Sequence, residues 1–536
     1  MGVGSDVPGR RGPLMRAMRE LADVHREVGR DRPVSLDEAV AVHGRLVSRR
    51  RLLQVGGAGV AAALVPPVRR RRAPGDLRIV VVGAGLAGLS CAFKLAQHGL
   101  VAGVYESRDR VGGRCWTARG LAAGQVAEHG GEFVDTRHHQ LRRLIAELGL
   151  ELDDLFAAYE AEAPISGLLV LDGDVRRPRD VYDEMDVVIR RLARVSARIG
   201  PYRWGQAGPQ ARAFDRVTMR AWMDRHVPGG SGSLLGRAMD VGLTGFWGID
   251  PDDTSAITLL DTYITPYPGG AADERYHVRG GNDQVPELLA GRLAAGSLHL
   301  EAPLRAVAER ADGSFALTFD GIAGEVMADV VVLTLPFTAL REVDLTRVAL
   351  SRKRRRSIDE LGMGTNAKVL LPFDRRLTEL STPGGRPWNG SFQTDDPQGS
   401  SWDSSIGQPG SAGLLTVFTG GARGASYPAT MPHGPAPASV VDEALGFFDA
   451  WLPGASAAYA GDAWLDSWVD DPWVRGSYAA FLPGQWTSYF GYLGRASGNV
   501  HFAGEHTSTY SQGYLNGGVE SGLRAAREVL RDAGRA

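Results

Sequence analysis

A glycine-rich turn between a strand-like and a helix-like segment carries the strongest chemical signal in this sequence. Residues 78–82 form a short β-branched run typical of a buried parallel strand, and residues 89–98 are typical of a helix. The G-x-G-x-x-G spacing between them brings the backbone close to a pyrophosphate, and the helix N-terminus offers free N–H groups to the phosphates. The turn therefore predicts a dinucleotide site, formed by Gly83, Gly85, Leu86, Ala87 and Gly88.

An acidic residue and a basic run follow at the distances that such a site requires. Residues 101–105 are typical of a second strand, and Glu106 comes directly after it, placed to accept hydrogen bonds from a ribose hydroxyl. The next residues offer guanidinium groups that neutralise phosphate charge and a glycine pair that passes close to a cofactor. We assign these contacts to Ser107, Arg108, Gly113 and Arg114.

The string E-x-R-x-R-x-G-G-R over residues 106–114 points to a known family. It resembles the flavin amine oxidases, which include monoamine, polyamine and L-amino acid oxidases. The resemblance implies FAD as the cofactor. It also implies an α/β fold, in which a discontinuous Rossmann-type FAD-binding domain of glutathione-reductase-like topology is joined to an α+β substrate-binding domain.

Three later blocks extend this resemblance over about residues 77–536. Residues 128–134 resemble the Gly-Gly segment that lies along the flavin, and residues 279–284 resemble the turn that re-enters the cofactor domain. Residues 500–522 resemble the strand and long helix that close that domain, and the backbone near Leu304 is expected to meet the adenine. The contacts that these blocks imply are Gly130, Gly131, Glu132, Phe133, Leu304, Gly504, Glu505, Gly513, Tyr514 and Leu515.

Because cofactor motifs lie at both ends of the chain, the FAD-binding domain must be discontinuous. We assign it residues 77–165, 271–350 and 471–536, the last including an aromatic active-site segment. The substrate domain then takes a helical part, 166–270, and a sheet part, 351–470. We expect strands at 298–304, 315–319 and 330–336, loops over the Gly/Ser/Pro-rich stretch 395–438, and a C-terminal helix with Val519, Leu523, Ala526 and Leu530 on its inner side.

Two tyrosines and one lysine are the candidate catalytic residues. By resemblance, the rings of Tyr478 and Tyr514 flank the substrate amine in front of the flavin, where two ring faces orient an amine and exclude water. Ser477 stands where some relatives have a cysteine bonded to the flavin, which implies non-covalent FAD.

Lys368 stands in a strand-like run, where burying an ammonium is costly unless it has a purpose. Lysine otherwise occurs only at Lys94 and Lys353, because arginine takes nearly every ordinary basic position. In relatives a lysine at this place holds a water against flavin N5, a role that the resemblance implies for Lys368. The alternative is an edge-strand lysine that reaches solvent.

The resemblance implies oxidative deamination of a primary or secondary amine, with the α-hydrogen leaving as hydride and O2 reduced to hydrogen peroxide. Glu132, where several relatives place an arginine just after the Gly-Gly pair, favours a cationic amine over an amino acid. An L-amino acid oxidase stays open, because Arg137 lies further on from Glu132 and another arginine, such as Arg475 or Arg279, could hold a carboxylate. A flavin dehydrogenase or desaturase of the same fold is a further alternative.

The composition of the chain limits the classes of ligand and partner that it is expected to bind. The 536-residue chain has a net charge of −2, which gives no basic footprint for nucleic acid. Its two cysteines, Cys91 and Cys115, lack metal-ligand spacing, and no metal is expected. We therefore expect a small amine or amino acid and O2 as reactants and no stable membrane span, and a homodimer stays open.

The N-terminus resembles an export signal. Residues 1–47 form an Arg-rich extension in which Leu14, Met18, Leu21 and Val28 fit one face of a short helix. Within residues 48–76, Arg49 and Arg50 precede a short apolar stretch, as in a twin-arginine signal. This predicts export to the cell envelope or medium, and the alternative is a basic linker in a cytoplasmic enzyme.

Overall fold

The structure is a computed structural model that describes residues 13–28, 33–36, 38–39, 41–42, 77–162, 167–265, 273–380 and 391–535. The twin-arginine-like segment lies outside these residues, so the export signal stays a prediction. No helix within the described ranges is long and apolar enough to cross a membrane.

The strands in these ranges are short, and most have buried side chains. In chain order, β1 to β20 are Ile79–Val82, Ala102–Tyr105, Thr117–Arg119, Val126–Glu128, Leu152–Asp154, Leu168–Leu171, Asp174–Arg176, Tyr276–Val278, Leu298–His299, Leu304–Glu309, Phe315–Phe319, Glu325–Ala328, Val330–Leu333, Ala367–Phe373, Phe392–Thr394, Ser400–Asp403, Gly413–Thr419, His433–Pro435, Trp464–Ser467 and Val500–Phe502.

The α-helices are numbered in the same way. In chain order, α1 to α17 are Pro13–Val28, Leu86–Ala96, His139–Glu147, Leu155–Glu162, Tyr182–Ile199, Pro209–Asp215, Met219–His226, Leu234–Trp247, Ile257–Leu259, Gln284–Gly291, Phe337–Leu340, Arg352–Glu360, Gly421–Ala425, Ala438–Trp451, Ala455–Ala458, Gln485–Tyr489 and Leu515–Asp532. A π-helical turn, Leu260–Ile264, directly follows α9.

A five-stranded parallel sheet forms the centre of the cofactor domain. Its strand order is β20-β13-β1-β2-β9, so strands from three distant parts of the chain lie side by side. The side chains of β1 and β13 are all buried, as expected for a parallel sheet covered on both faces. The α/β fold class and the discontinuous Rossmann-type domain are confirmed.

A three-stranded antiparallel sheet, β10-β11-β12, connects β9 to β13. The single strand predicted over 298–304 is wrong, because the chain leaves the parallel sheet after His299 and turns at Glu301, whose φ is +51°. Leu304 then begins the second sheet. The strand predicted over 315–319 has those bounds in the structure.

An eight-stranded sheet forms the other domain, in the order β18-β19-β14-β17-β16-β15-β6-β7. The loops predicted over 395–438 are wrong in part, since β16, β17 and β18 lie there. All seven residues of β17 are buried between β14 and β16, so long-range pairing overrides the local loop composition. The β6–β7 hairpin lies at the start of the segment predicted as helical, and the domain boundaries stay predictions.

The Arg-rich N-terminal extension contributes a helix to the substrate domain. Leu14, Met18 and Leu21 on α1 are fully buried in a core shared with α5 and α8, and Val28 packs against that core. The predicted amphipathic face therefore covers another part of this same chain.

Candidate active site

A large cavity opens at the carboxyl ends of the parallel strands, where open α/β sheets bind ligands. Its empty space measures about 1110 Å³ with the solvent-filled opening included. Most of the predicted site residues line it: Gly83, Gly85, Leu86, Ala87, Glu106, Ser107, Arg108, Gly113, Arg114, Gly130, Gly131, Lys368, Tyr478, Gly504, Glu505, Gly513, Tyr514 and Leu515. These residues come from six separate stretches of sequence.

Four other residues predicted to bind the cofactor lie outside this lining. Gly88 packs against the turn itself, Glu132 is paired with Lys368, Phe133 packs 5.4 Å from the ring of Trp402, and Leu304 is buried in the core. These four residues are not part of the cavity lining, and their contacts with the cofactor stay predictions.

The glycine spacing has a steric cause. Gly83 has a φ of +100°, and its N–H donates to Tyr105 O at 2.7 Å, which ties the turn to β2. A Cβ on Gly88 would lie 1.9 Å from Gly83 O, so only glycine lets α2 start this close to the turn. A Cβ on Gly85 would meet nothing closer than 3.8 Å, which leaves the cavity side of the turn open.

Glu106 also stabilises the turn from inside the protein. Its carboxylate accepts hydrogen bonds from Ala84 N at 2.7 Å and from Arg108 N at 3.0 Å. Glu505 has a comparable role at the other end of the site, where it accepts from Arg114 Nη1 at 3.0 Å and Gly513 N at 2.8 Å. Both acids fix backbone segments that form the cavity wall.

A buried charge network supports Arg108. Its guanidinium donates to Asp471, which also contacts His433 Nε2 at 3.0 Å, and His433 Nδ1 lies 2.8 Å from Asp466. Burial alone would lower the pKa of His433, but the two carboxylates raise it above 6.5. Burial would raise the pKa of Asp466 and Asp471, but their cationic partners hold both below 3.8.

This network predicts a loss of stability in mild alkali. Protonated His433 donates to both carboxylates, and this stabilisation is complete below pH 6.5 and disappears as the pH rises through the raised pKa. We expect a loss of about 1.5–3 kcal/mol in the free energy of unfolding. Melting temperatures measured from pH 6.5 upward, through the raised pKa of His433, should decline in wild type and decline much less in His433→Gln. Equal slopes in the two proteins would contradict the assignment.

Lys368 lies on β14, which is paired on both sides, so it is not the edge-strand lysine of the alternative reading. Its Nζ donates to Glu132 Oε2 at 2.8 Å and to Glu128 O at 2.7 Å. Burial alone would raise the pKa of Glu132, but Lys368 and the Trp402 indole N–H lower it below 4.5. Both residues are predicted from the sequence, but their pairing is not.

A second, narrower cavity adjoins the first at Tyr478, Gly513 and Tyr514, which line both. Tyr478 Oη donates to Phe246 O at 2.8 Å, and Tyr514 Oη donates to Glu274 Oε1 at 3.1 Å. These bonds fix both rings at the junction. A molecule in the second cavity would therefore reach the first by passing the two predicted catalytic tyrosines.

Charged side chains line the second cavity beyond the tyrosines. They are Arg19, Arg137 and Asp261, and Arg137 lies 6.0 Å from the centre of the Tyr514 ring. The other two arginines considered for a carboxylate are at the surface, where Arg279 pairs with Asp153 and Arg475 pairs with Glu342. Arg19 and Asp261 were missed, and no local motif marks either residue.

The chain belongs to the family of flavin containing amine oxidoreductases, whose model matches residues 86–530. The family and the fold together make it an FAD-dependent oxidoreductase acting on amines. The predicted family, the predicted cofactor and the predicted amine oxidase class are confirmed.

Relatives match over nearly the whole of this region. The flavin-containing amine oxidase A of Canis lupus familiaris is 25% identical, covering 85% of this chain and 85% of its own. The L-amino acid dehydrogenase of a Synechocystis strain is 24% identical, covering 87% of this chain and 98% of its own. The solved structure of cyclohexylamine oxidase from Brevibacterium oxydans superposes with a TM-score of 0.72 at 22% identity, covering 85% and 99% of the two chains.

The cavity fits FAD by its chemistry. Phosphate charge would meet the α2 N-terminus and Arg108, and the flavin end would lie toward Lys368 and the two tyrosines. When bound, FAD supplies a hydride acceptor and a route for electrons to oxygen. No group of three or more metal-ligating side chains occurs in the described part of the chain.

Proposed function

We propose that the chain oxidatively deaminates an α-amino acid. The observation that carries this proposal is the presence of two guanidinium groups, Arg19 and Arg137, in the cavity that begins at Tyr478 and Tyr514. Arg137 is paired with Asp135 at 3.0 Å and Arg19 shares the cavity with Asp261, so this wall is polar and suits a substrate with its own polar groups better than a hydrocarbon amine. An α-carboxylate gives Arg137 a planar anion to bind.

In the sequence, Glu132 is the residue that favours a simple amine. That carboxylate is engaged by Lys368, by Trp402 Nε1 at 2.8 Å and by Ser404 Oγ at 3.0 Å, and it is not among the residues that line either cavity. An amine in front of the tyrosines would therefore not meet it. Arg137 lines the second cavity 6.0 Å from the centre of the Tyr514 ring, which supports its assignment as the contact for a substrate carboxylate.

Each residue then has a defined part in the reaction. Tyr478 and Tyr514 orient the Cα–N bond and exclude water from the transferring hydrogen, while Arg137 holds the carboxylate. The substrate loses two hydrogens, water replaces the imine nitrogen, and the products are a 2-oxo acid, ammonia and hydrogen peroxide when oxygen is the acceptor. We assign Lys368, which lines the first cavity, a part in the step with oxygen.

A paired substrate panel tests this proposal. L-amino acids and the amines left by their decarboxylation differ only in the carboxylate, so kcat/KM for peroxide release isolates its contribution. We expect each amino acid to exceed its amine by at least about 10²-fold, the usual effect of one charged contact. Equal or reversed preference would overturn the proposal and leave a simple amine as the substrate.

The second candidate is an amino acid dehydrogenase that passes electrons to an acceptor other than oxygen. It is favoured by the relative named L-amino acid dehydrogenase, which matches 87% of this chain. The same panel, repeated with an artificial electron acceptor, separates the two. A dehydrogenase would turn over with the acceptor and release little peroxide in air.

A further inference from the structure

The helix α1 reaches the substrate cavity from a part of the chain that the family model does not match. The matched region starts at residue 86, whereas α1 spans Pro13–Val28. Arg19 on this helix lines the cavity together with Asp261 and the two tyrosines. An element added in front of the family fold thus forms one wall of the site.

Specific contacts hold α1 in place. His25 Nε2 lies 2.7 Å from Asp186 Oδ1 on α5, and both side chains are buried. Arg26 Nη1 donates to Ile264 O at 3.1 Å, at the end of the π-helical turn. Leu14, Met18 and Leu21 fill the core beneath. These contacts join α1 to the turn that carries Asp261.

The π-helical turn carries Asp261, whose charge is opposite to that of Arg19. Asp261 is 5% exposed and accepts a hydrogen bond from Tyr202 Oη at 3.1 Å. Such turns recur at functional sites because they push one residue out of the regular helix. The charge of Arg19 also acts on this turn. It lowers the pKa of Tyr263, which burial raises.

We infer that Arg19 and Asp261 select the side chain of the substrate. This rests on the proposed function, in which Arg137 binds the α-carboxylate beside Tyr514. The remaining pair offers donors from a guanidinium and acceptors from a carboxylate, with no net charge between them. A neutral side chain that both accepts and donates, such as a carboxamide, can hydrogen-bond to both groups alongside their contacts within the protein, whereas a hydrocarbon side chain can hydrogen-bond to neither.

The test is the ratio of kcat/KM for L-glutamine to that for L-leucine. A ratio is unaffected by a general loss of active enzyme, so it separates specificity from damage to the fold. We expect wild type to prefer glutamine, and Arg19→Leu to lower the ratio by about 10-fold or more, mainly through KM for glutamine. Arg19→Lys keeps the charge, so its glutamine-to-leucine ratio should lie between those of wild type and Arg19→Leu.

Arg16→Leu is the matched control, because Arg16 lies on the same helix and is not among the residues that line the cavity. It should leave the ratio unchanged. A wild-type preference for leucine, or an unchanged ratio in Arg19→Leu, would overturn the inference. If the enzyme instead oxidises only simple amines, the proposed function fails, and the same ratio measured with 4-aminobutanamide and isoamylamine still tests Arg19.

Discussion

Replacing Lys368 by methionine should slow the reaction with oxygen by about 10²-fold and destabilise the protein by about 3–5 kcal/mol. The first effect follows from the place of Lys368 in the wall of the cofactor cavity. The second follows from Glu132, whose buried carboxylate would lose its cationic partner at 2.8 Å. Rapid mixing of the reduced holoenzyme with oxygen measures the first, and denaturant unfolding measures the second.

A second substitution separates these effects. Lys368→Met combined with Glu132→Gln removes both charges, so it should recover most of the lost stability and none of the oxygen reactivity. Lys94→Met is the control, because Lys94 makes an exposed hydrogen bond to Gln97 at 3.2 Å on α2, and it should change stability by less than about 0.5 kcal/mol. A double variant no more stable than the single one would refute the ion-pair argument. Unchanged oxygen reactivity would refute the role of Lys368.

The parts of the site that sequence could predict are those fixed by local backbone geometry. The turn from Gly83 to Gly88, the acid Glu106 and the helix after them form one continuous stretch, so their spacing alone defines their arrangement. Tyr478 and Tyr514 were predicted from motifs whose neighbouring residues form the cavity wall. In these cases the sequence of one short segment is enough to define the local geometry of that part of the site.

The parts that sequence could not predict depend on partners far along the chain. The strand β17 is buried between two other strands, although the residues around it have the composition of loops. Glu132 faces Lys368, 236 residues away, rather than an amine. The helix α1 docks through a contact between His25 and Asp186, 161 residues apart. Periodicity predicted that α1 has an apolar face and could not say what covers it.

Replacing Gly522 by alanine should destabilise the protein by about 3 kcal/mol, at the upper end of the usual cost of over-packing, and release most of the FAD. A Cβ at this position on α17 would lie 2.1 Å from Ala87 O and 2.9 Å from Ala87 C, both backbone atoms of α2. Neither atom can move alone, so the two helices must separate. Because Leu86 and Ala87 line the cofactor cavity, that separation opens the phosphate-binding turn.

Gly446→Ala is the matched control for this substitution, since Gly446 lies inside α14 and a Cβ there would meet no atom within 4 Å. Alanine in a helix interior is favoured over glycine by about 0.5–1 kcal/mol, so this variant should be more stable than wild type. Flavin absorbance per polypeptide and the free energy of unfolding measure both effects. If Gly522→Ala retains its flavin and its stability, the close contact between α2 and α17 does not hold the dinucleotide turn in place. The three glycines of the turn itself would then have to define its shape without support from the C-terminal helix.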